Sequence, residues 1–296
     1  MNLAPVSSKT GTFKIFMERF EMPEVKEVIE HRGARLLVMG VGKVGATAVA
    51  KMTGHIYDVE CCIVEEVTDD VERCIREVDA LFVVHAGDEA EAGLVAWWLV
   101  NITVNVGVLL VVVVTDHQPP EHPDSIKHTP WPANVARISV NCDCFATLDH
   151  DGSGNMTEPE LRDLLLRLAV QQITDLTPQK SFIGVDFYDI KAILSTGGHV
   201  WLGIGYDTGP VGGAAEATQN ALRALHKQGA PIASAQSILG NIYASKSVTM
   251  DDFDQVNRVV HDHVFDKANV IIGITPDDSF VPNYRVAVYV VEGEPT

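Results

Sequence analysis

The sequence predicts an α/β protein in which a parallel sheet, covered by helices on both faces, is followed by a long helix and a smaller mixed α+β domain. Two observations predict this fold class. From residue 34 to residue 140, apolar strand patterns alternate with helical patterns, which is typical of a parallel sheet. The run "VGVLLVVVVT" within it is almost uninterrupted in apolar residues, as expected for a strand that is buried on both faces.

The elements of the first half follow from these patterns. Strands are predicted at residues 34–40, 59–67, 79–87, 107–116 and 134–140. Helices are predicted at residues 41–54, 69–78 and 89–104. A proline-rich stretch at 116–132 interrupts the alternation and predicts a loop. Residues 1–32 form an N-terminal extension, in which Pro23 near the start and Gly33 at the end favour one short helix.

The second half begins with a strong helical pattern at residues 158–173. Its apolar side is formed by Leu161, Leu164, Leu165 and Leu168. Further helices are predicted at residues 212–229 and 250–266, and strands at residues 199–207, 234–245, 268–275 and 284–293. Strands outnumber helices in this part of the chain, so we expect a mixed α+β domain here.

Composition limits the classes of partner. Hydrophobic residues make up 46% of the 296 residues and charged residues 21%, which indicates a soluble globular protein. The formal net charge of −18 disfavours nucleic acid and anionic lipid as partners. The longest apolar run is too short to span a bilayer, and the start of the chain does not resemble a signal peptide, so we expect a cytoplasmic protein with no transmembrane segment.

A segment before the strong helix has the spacing of an EF-hand calcium loop. Positions 1, 3, 5, 6, 7, 9 and 12 of that loop are Asp149, Asp151, Ser153, Gly154, Asn155, Thr157 and Glu160. Oxygen ligands at alternate positions curl around Ca²⁺, and the glutamate at position 12 closes the shell from the first turn of the next helix. We therefore expect a Ca²⁺ site formed by these residues other than the glycine, which permits the sharp turn.

An acidic turn that caps a helix is the alternative for this segment, because carboxylates near a helix N-terminus are stabilising without any metal. The residues before the loop, "RISVNCDC", have a strand-like pattern, whereas an EF-hand loop is preceded by a helix. The sequence also contains no second loop of this kind. Both interpretations stay open at this point.

A glycine-rich turn follows the first predicted strand. In "GVGKVGATAV", Gly40, Gly42 and Gly45 have the GxGxxG spacing between a strand and a helix, where backbone N–H groups can hold a phosphate. Lys43 and Thr47 lie in the same segment. This spacing alone fits a dinucleotide-binding oxidoreductase as well as other nucleotide-binding folds.

The second half of the chain resembles the C-terminal domain of FtsZ, the bacterial relative of tubulin. The residues that carry the resemblance are "FIGVDFYDIKAIL", "GGHVWLGIGYDTGP", "GGAAEATQNAL" and the segment from "DDFDQVNRVV" to "YRVAVYVVEG". "ARLLVMGVGKVGATAVAKM" and "DALFVVHAG" resemble the first strand, first nucleotide loop and phosphate-loop strand of that family. The resemblance implies a Rossmann-like nucleotide-binding domain at 33–156, a core helix with its linker at 157–178 and a C-terminal domain at 179–296.

The resemblance also implies a GTP site shared between subunits of a filament. One subunit would hold GTP or GDP with residues that include Gly40, Gly42, Lys43, Gly45, Thr47 and Gly87. The next subunit would insert the loop "GVDFYD", in which Asp186 and Asp189 match the two acidic positions that polarise the attacking water. Gly184 stands where the family usually has asparagine.

The phosphate loop departs from the family pattern. Where the family has "GGGTGTG", this chain has "AGDEAEAGL", with acids at Asp88, Glu89 and Glu91. A carboxylate about 5 Å from a phosphate charge costs about 3 kcal/mol at an effective dielectric constant near 20. The segment between the first helix and the third strand is also much shorter than in the family. We therefore expect a degenerate nucleotide site and little or no GTP hydrolysis.

The favoured prediction is a cytoskeletal protein that self-associates into filaments, with a degenerate nucleotide site and regulation by Ca²⁺. The alternatives are an active GTPase that polymerises head to tail, and a monomeric calcium-responsive module on the same fold. The chain ends at "VVEGEPT", directly after the last predicted strand. Either the family's C-terminal adaptor peptide lies beyond this sequence, or membrane adaptors do not bind by that route.

Overall fold

The computed structural model describes most of the chain after the N-terminal extension. The described residues are 33–53, 59–116, 130–145, 156–177, 181–207, 213–265, 267–277 and 284–292. Residues 34–296 form one compact unit. The predicted helix in the N-terminal extension and the loop at 116–132 fall largely outside the described residues, so both stay predictions.

The described residues form one nine-stranded sheet and eight α-helices. The strands are β1 (Leu36–Val41), β2 (Val59–Val64), β3 (Ala80–His85), β4 (Leu110–Thr115), β5 (Ala136–Ser139), β6 (Gly198–Tyr206), β7 (Ser237–Ala244), β8 (Asn269–Pro276) and β9 (Tyr284–Val291). The helices are α1 (Gly42–Met52), α2 (Asp69–Ile75), α3 (Ala90–Val106), α4 (Cys142–Phe145), α5 (Glu158–Thr174), α6 (Phe187–Leu194), α7 (Gly213–Lys227) and α8 (Met250–His261).

The sheet is mainly parallel, as the sequence predicts. Its strand order is β2-β1-β3-β4-β5-β6-β9-β7-β8. The first six strands in this order pair in parallel, and β7 pairs in parallel with β8. Only β9 runs antiparallel, between β6 and β7. Every residue of β1, β3 and β4 is buried, because helices cover both faces of this part of the sheet.

Three apolar clusters hold the helices on the sheet. One joins α1, α5 and α6 to one face of the first strands, with Met52, Leu165 and Ile193 among its fully buried residues. A second packs α2 and α3 on the opposite face, through residues such as Leu99 and Val100. The third packs α7 and α8 on the C-terminal strands. Helix α5 therefore lies in the core, as expected for the long helix predicted from its leucine side.

Two boundaries differ from the sequence prediction. The strand-like pattern "RISVNCDC" ends as a strand at Ser139 and continues as the short helix α4. The side chain of Asn141 accepts a hydrogen bond from Asp143 N at 3.0 Å, and this local bond turns the backbone out of the extended conformation. Helix α8 ends at His261, because His263 N donates to the carbonyl of Val260 at 3.0 Å in a tighter turn.

Buried polar contacts join the end of α5 to the C-terminal strands. The hydroxyl of Tyr243 donates to the carboxylate of Asp175, and the guanidinium carbon of Arg285 lies 4.0 Å from the centre of the Tyr243 ring. Asn241 Nδ2 donates to the carbonyl of Gln172 at 2.9 Å. Because these groups are buried, each contact fixes the position of α5 against β7 and β9.

Replacing Tyr243 with phenylalanine is expected to lower the free energy of unfolding by about 2 kcal/mol, since a buried carboxylate loses a hydrogen-bond donor. Urea unfolding followed by circular dichroism measures this change. Tyr188→Phe is the matched control, because its ring is 65% exposed and its loss should change stability by less than about 0.5 kcal/mol. Equal changes in the two variants would contradict the role given to the Tyr243 hydroxyl.

Candidate functional site

The candidate site lies at one edge of the sheet, where three neighbouring parallel strands end. Strand β1 ends at Val41, β3 at His85 and β4 at Thr115, and the residues that follow each strand meet at this edge. In open parallel sheets, ligands bind at the carboxyl ends of the strands. The glycine-rich turn and the segment "AGDEAEAGL" both belong to this edge.

The three glycines of the turn have different roles. A Cβ atom at Gly45 would overlap the carbonyl oxygen of Val84, so this glycine allows α1 to lie against β3. A Cβ atom at Gly40 would come within 2.5 Å of the carbonyl oxygen of Gly45, so this position also serves close packing. Gly42, with a φ of +70°, begins α1 and faces the site. Two of the three glycines are therefore explained by packing alone.

The carboxylate of Glu89 occupies the space in front of Gly42. Its Oε2 atom accepts a hydrogen bond from Lys43 N at 3.1 Å, and a Cβ atom added to Gly42 would overlap the same oxygen. Glu89 is also the N-cap residue of α3. The negative charge of Glu89 is thus placed at the N-terminus of α1, where it interacts favourably with the helix dipole.

A second carboxylate holds the loop after β3. Asp116 is buried, and its Oδ1 atom accepts a hydrogen bond from Gly87 N at 2.8 Å. Arg162 of α5 lies 3.6 Å from the other oxygen, Oδ2. Next to it, His85 is buried, and burial lowers the pKa of its ring, so the ring is neutral at pH 7. A buried carboxylate, that of Asp116, therefore lies beneath the loop after β3 and is paired with Arg162.

Lys43 and Thr47, the polar side chains of the glycine-rich turn, are both exposed. The hydroxyl of Thr47 donates to the carbonyl of Lys43 at 2.8 Å, within its own helix. The Lys43 ammonium is the one side-chain cation that the turn itself brings to this edge, because Lys51 at the other end of α1 pairs with Asp163 of α5 at 2.7 Å. The positive charge available to a phosphate chain in this turn is thus small.

At this edge of the sheet, backbone amides are paired with carboxylates of the chain itself. The amides of Lys43 and Gly87 point at the edge where a phosphate chain would be held, and both donate to carboxylates of the chain. A triphosphate would have to displace the Glu89 side chain or lie beside its charge. The Glu89 carboxylate therefore places a negative charge beside the amide of Lys43.

Asp186 and Asp189 lie away from these amides along the chain, at the start of α6. Asp186 is the N-cap of α6, and its Oδ1 atom accepts a hydrogen bond from Tyr188 N at 2.8 Å. Both carboxylates are exposed, next to the exposed rings of Phe182 and Tyr188. The loop before them is anchored to the end of β8, because Phe182 N donates to the carbonyl of Ile274 at 2.8 Å.

Most of the predicted calcium ligands lie outside the described residues: Asp149, Asp151, Ser153 and Asn155. Thr157 and Glu160 are described and form a capping box at the start of α5. Glu160 Oε2 accepts hydrogen bonds from Thr157 N at 2.8 Å and from the Thr157 hydroxyl at 2.7 Å, and these bonds lower the pKa of Glu160. Among the described residues, no group of three or more His, Cys, Asp or Glu side chains is placed to hold a metal ion.

Comparison with known proteins shows what this arrangement is similar to. Residues 198–293 match the model of the FtsZ family, C-terminal domain. The solved structure "FtsZ dimer, empty" from M. jannaschii superposes with a TM-score of 0.70 at 18% identity, over 88% of this chain and 89% of that chain. The chain has the FtsZ fold.

Other relatives extend the FtsZ likeness. The FtsZ-like chain is 22% identical to the cell division protein FtsZ of Buchnera aphidicola over 232 residues, which are 76% of this chain and 60% of the relative. It is 32% identical to FtsZ of Wigglesworthia glossinidia brevipalpis over 124 residues, which are 42% of this chain and 32% of the relative. GDP-form protofilaments of Bacillus thuringiensis TubZ have the same fold, with a TM-score of 0.57 at 11% identity over 87% of this chain and 85% of that chain.

The FtsZ-like chain therefore spans less than two thirds of the length of the Buchnera and Wigglesworthia FtsZ proteins. In its described part, no helix is long and apolar enough to cross a membrane. The resemblance stated from the sequence is confirmed for the FtsZ/tubulin fold and for the C-terminal segment.

Sequence reasoning missed two residues of the site, Asp116 and Arg162. The signal for Asp116 was available, since this aspartate directly follows a buried strand at the edge where ligands bind. Its partner Arg162 comes from α5, far along the chain, and only the fold brings the two together. Glu89 was identified as one of three acids, but its contact with the first helix depends on how the start of α3 meets the start of α1 at this edge.

Proposed function

We propose that this protein is an FtsZ-like cytoskeletal protein that self-associates into filaments without depending on bound guanine nucleotide. The observation that carries this proposal is the Glu89 carboxylate on the amide of Lys43, in front of Gly42. The solved relatives named above include an FtsZ dimer and TubZ protofilaments, which supports self-association as the activity of the fold. We also infer a cytoplasmic location from this likeness.

A surface suited to self-association is present at the start of α6. Phe182 and Tyr188 are 54% and 65% exposed, and the exposed residues Asp186 and Asp189 belong to the same segment of the chain. Exposed aromatic rings beside charged groups are typical of protein–protein contacts. Here we expect Asp186 and Asp189 to contact the neighbouring subunit, whether or not a nucleotide is present between them.

Electron microscopy and sedimentation of the purified chain test the proposal. We expect sedimenting filaments in buffer without nucleotide, and no increase in sedimentation when GTP is added. Tyr188→Ser should reduce the sedimented fraction at least several-fold, because it removes an anchor of the contact surface. Met250→Ser is the matched control, since Met250 is 60% exposed on α8 and its replacement should leave sedimentation unchanged.

The active GTPase remains the competing assignment for the same fold. It requires phosphate release that rises with protein concentration and is lost in Asp186→Ala and Asp189→Ala. It also requires GTP or GDP to bind at Gly40, Gly42, Lys43, Gly45, Thr47 and Gly87. Nucleotide-dependent assembly together with such hydrolysis would overturn the proposal of a degenerate site.

Calcium regulation is a second candidate property, favoured by the start of α5. The capping box puts Glu160 in the first turn of the helix, with its carboxylate directed back toward Thr157, as the twelfth position of a calcium loop requires. The short helix α4 ends at Phe145, four residues before Asp149, so the loop is flanked by helical segments on both sides. Bound Ca²⁺ would add positive charge beside the helix that joins the two halves.

Isothermal titration with CaCl₂ distinguishes a calcium site from an acidic cap. A calcium site predicts saturable binding of one ion that is lost in Asp149→Asn, whereas Asp251→Asn at the start of α8 leaves it intact. An acidic cap predicts no saturable binding in either form. Sedimentation with calcium and with chelator then measures the effect on assembly, and equal sedimentation would contradict the regulatory role.

A further inference from the structure

A second cleft lies at the amino-terminal ends of strands from both halves of the chain. It is lined by the residues that precede β5 and β6, by those that precede β7 and β8, and by Glu292 after β9. Its volume is about 1380 Å³. None of the residues that line it belongs to the glycine-rich turn, to the loop after β3 or to the surface at the start of α6. The cleft is therefore separate from the site already described.

Three of the described residues that line this cleft have aromatic rings: Trp131, His199 and Phe265. Trp131 is 7% exposed and lies in the wall, and Phe265 contributes a ring that is 56% exposed. The ring of His199 stacks on Trp201, with centroids 4.1 Å apart and planes at 15°. Flat ring surfaces of this kind favour a planar ligand.

Buried nitrogen atoms at the cleft lack hydrogen-bond partners in the structure. They are Nε1 of Trp131 and Nε2 of His199. The indole nitrogen of Trp131 can only donate a hydrogen bond, so an acceptor is the group that would satisfy it. Buried polar groups without partners are rare in folded proteins and call for a ligand, ion or water.

The charged groups of the cleft favour an anion. Among the described residues that line the cleft, Arg137 and Lys267 are the cationic side chains and Glu292 is the carboxylate. Among these described residues the cations outnumber the carboxylates, in a chain with 40 acidic and 22 basic residues. Burial, followed by the charge of Arg137, lowers the pKa of His199 to about 4, so the ring is neutral at pH 7 and its stacked face stays apolar.

We propose that the cleft between Trp131, His199 and Lys267 is a binding site for a small planar organic anion, such as an aromatic carboxylate or sulfonate. The ring system of the ligand would lie against the aromatic side chains, and its anionic group would face Arg137 and Lys267. The cleft joins turns of both halves of the sheet, and clefts between structural halves are common positions for small-molecule sites. This inference does not depend on the function proposed above.

Fluorescence titration with 8-anilinonaphthalene-1-sulfonate, an aromatic anion with a planar naphthalene ring, tests the proposal. The neutral dye N-phenyl-1-naphthylamine has the same ring system without the sulfonate and serves as the matched probe. We expect one saturable site for the anionic dye in the unmodified chain, with at least about 10-fold weaker binding of the neutral dye, since charge pairing in a partly buried site contributes that much.

The variants Lys267→Gln and Arg137→Gln should each lower the affinity for the anionic dye by about 10-fold and the affinity for the neutral dye by less than about 2-fold. Lys267 is exposed, so its replacement should not affect folding, which thermal unfolding of each variant confirms. Arg73→Gln on α2 is the control for a general change in protein charge and should leave both affinities unchanged. Non-saturable binding, equal affinity for the two dyes, or equal losses in all variants would overturn the proposal.

Discussion

Replacing Glu89 with alanine is expected to raise the affinity of the chain for GTP by about 100-fold. The Glu89 carboxylate lies on the amide of Lys43, at the position where a phosphate would be held. A like charge at about 5 Å costs about 3 kcal/mol at an effective dielectric constant near 20, and its removal corresponds to about two orders of magnitude in affinity. Isothermal titration of GTP and GDP into both proteins measures the change.

Glu91→Ala is the matched control for this experiment. Glu91 lies two residues further along, in the first turn of α3, and it is exposed. If charge in the general area weakened binding, both substitutions would raise the affinity alike. If Glu89 acts through its contact with Lys43, only Glu89→Ala has a large effect. Tight binding of GTP by the unmodified chain would contradict the proposal that the Glu89 carboxylate weakens nucleotide binding.

The same variant separates two parts of the proposed function. If Glu89→Ala still forms filaments without nucleotide, assembly requires neither the Glu89 carboxylate nor a bound nucleotide at this site. If Glu89→Ala forms filaments only when GTP is present, the Glu89 carboxylate takes the place of the nucleotide in the unmodified chain. The loss of α1 dipole stabilisation in this variant amounts to about 0.3–1 kcal/mol, which is too little to unfold a domain of this size.

Replacing Gly45 with alanine is expected to lower the free energy of unfolding by about 3 kcal/mol. The added Cβ atom would overlap the carbonyl oxygen of Val84, and neither α1 nor β3 can move without disturbing the core. Urea unfolding followed by circular dichroism measures the change as a shift of the midpoint. The result would show that this glycine is required by packing, whatever its part in ligand binding.

Gly93→Ala on α3 is the matched control, because it is also a glycine within a helix. An added Cβ atom at Gly93 has no neighbour within 4 Å, so only the helix propensity changes. Alanine should therefore stabilise the protein by about 0.5–1 kcal/mol. Destabilisation of similar size in both variants would contradict the packing explanation for Gly45.

Much of the fold was predictable because strand and helix periodicity are properties of neighbouring residues. The apolar run at β4 and the leucine side of α5 each indicated their burial before any partner was known. Element ends were less predictable, because they depend on single hydrogen bonds. The strand pattern ends after Ser139 because the Asn141 side chain accepts a hydrogen bond from Asp143 N at the start of α4. Periodicity in the sequence does not predict a single hydrogen bond of this kind.

The candidate site was predictable in part. The glycine spacing identified the turn at Gly42, and the acids of "AGDEAEAGL" predicted carboxylates near it, of which Glu89 is in contact with Lys43. The direction of the Glu89 side chain was not predictable, since helical dipole stabilisation of α3 and contact with α1 both suit a glutamate at that position. Asp116 and Arg162 are 46 positions apart in the sequence, and patterns of neighbouring residues do not predict a contact over that separation.

By itself, the sequence determined the parallel-sheet fold, the resemblance of the second half to FtsZ and the presence of carboxylates where glycines are usual. These depend on residue type and spacing along the chain. Only the tertiary structure decided that Glu89 lies on the amide of Lys43, that Gly45 is needed for packing, and that one cleft brings Trp131, Arg137 and Lys267 together. These features depend on which elements lie side by side, and that choice is made by burial of the whole core.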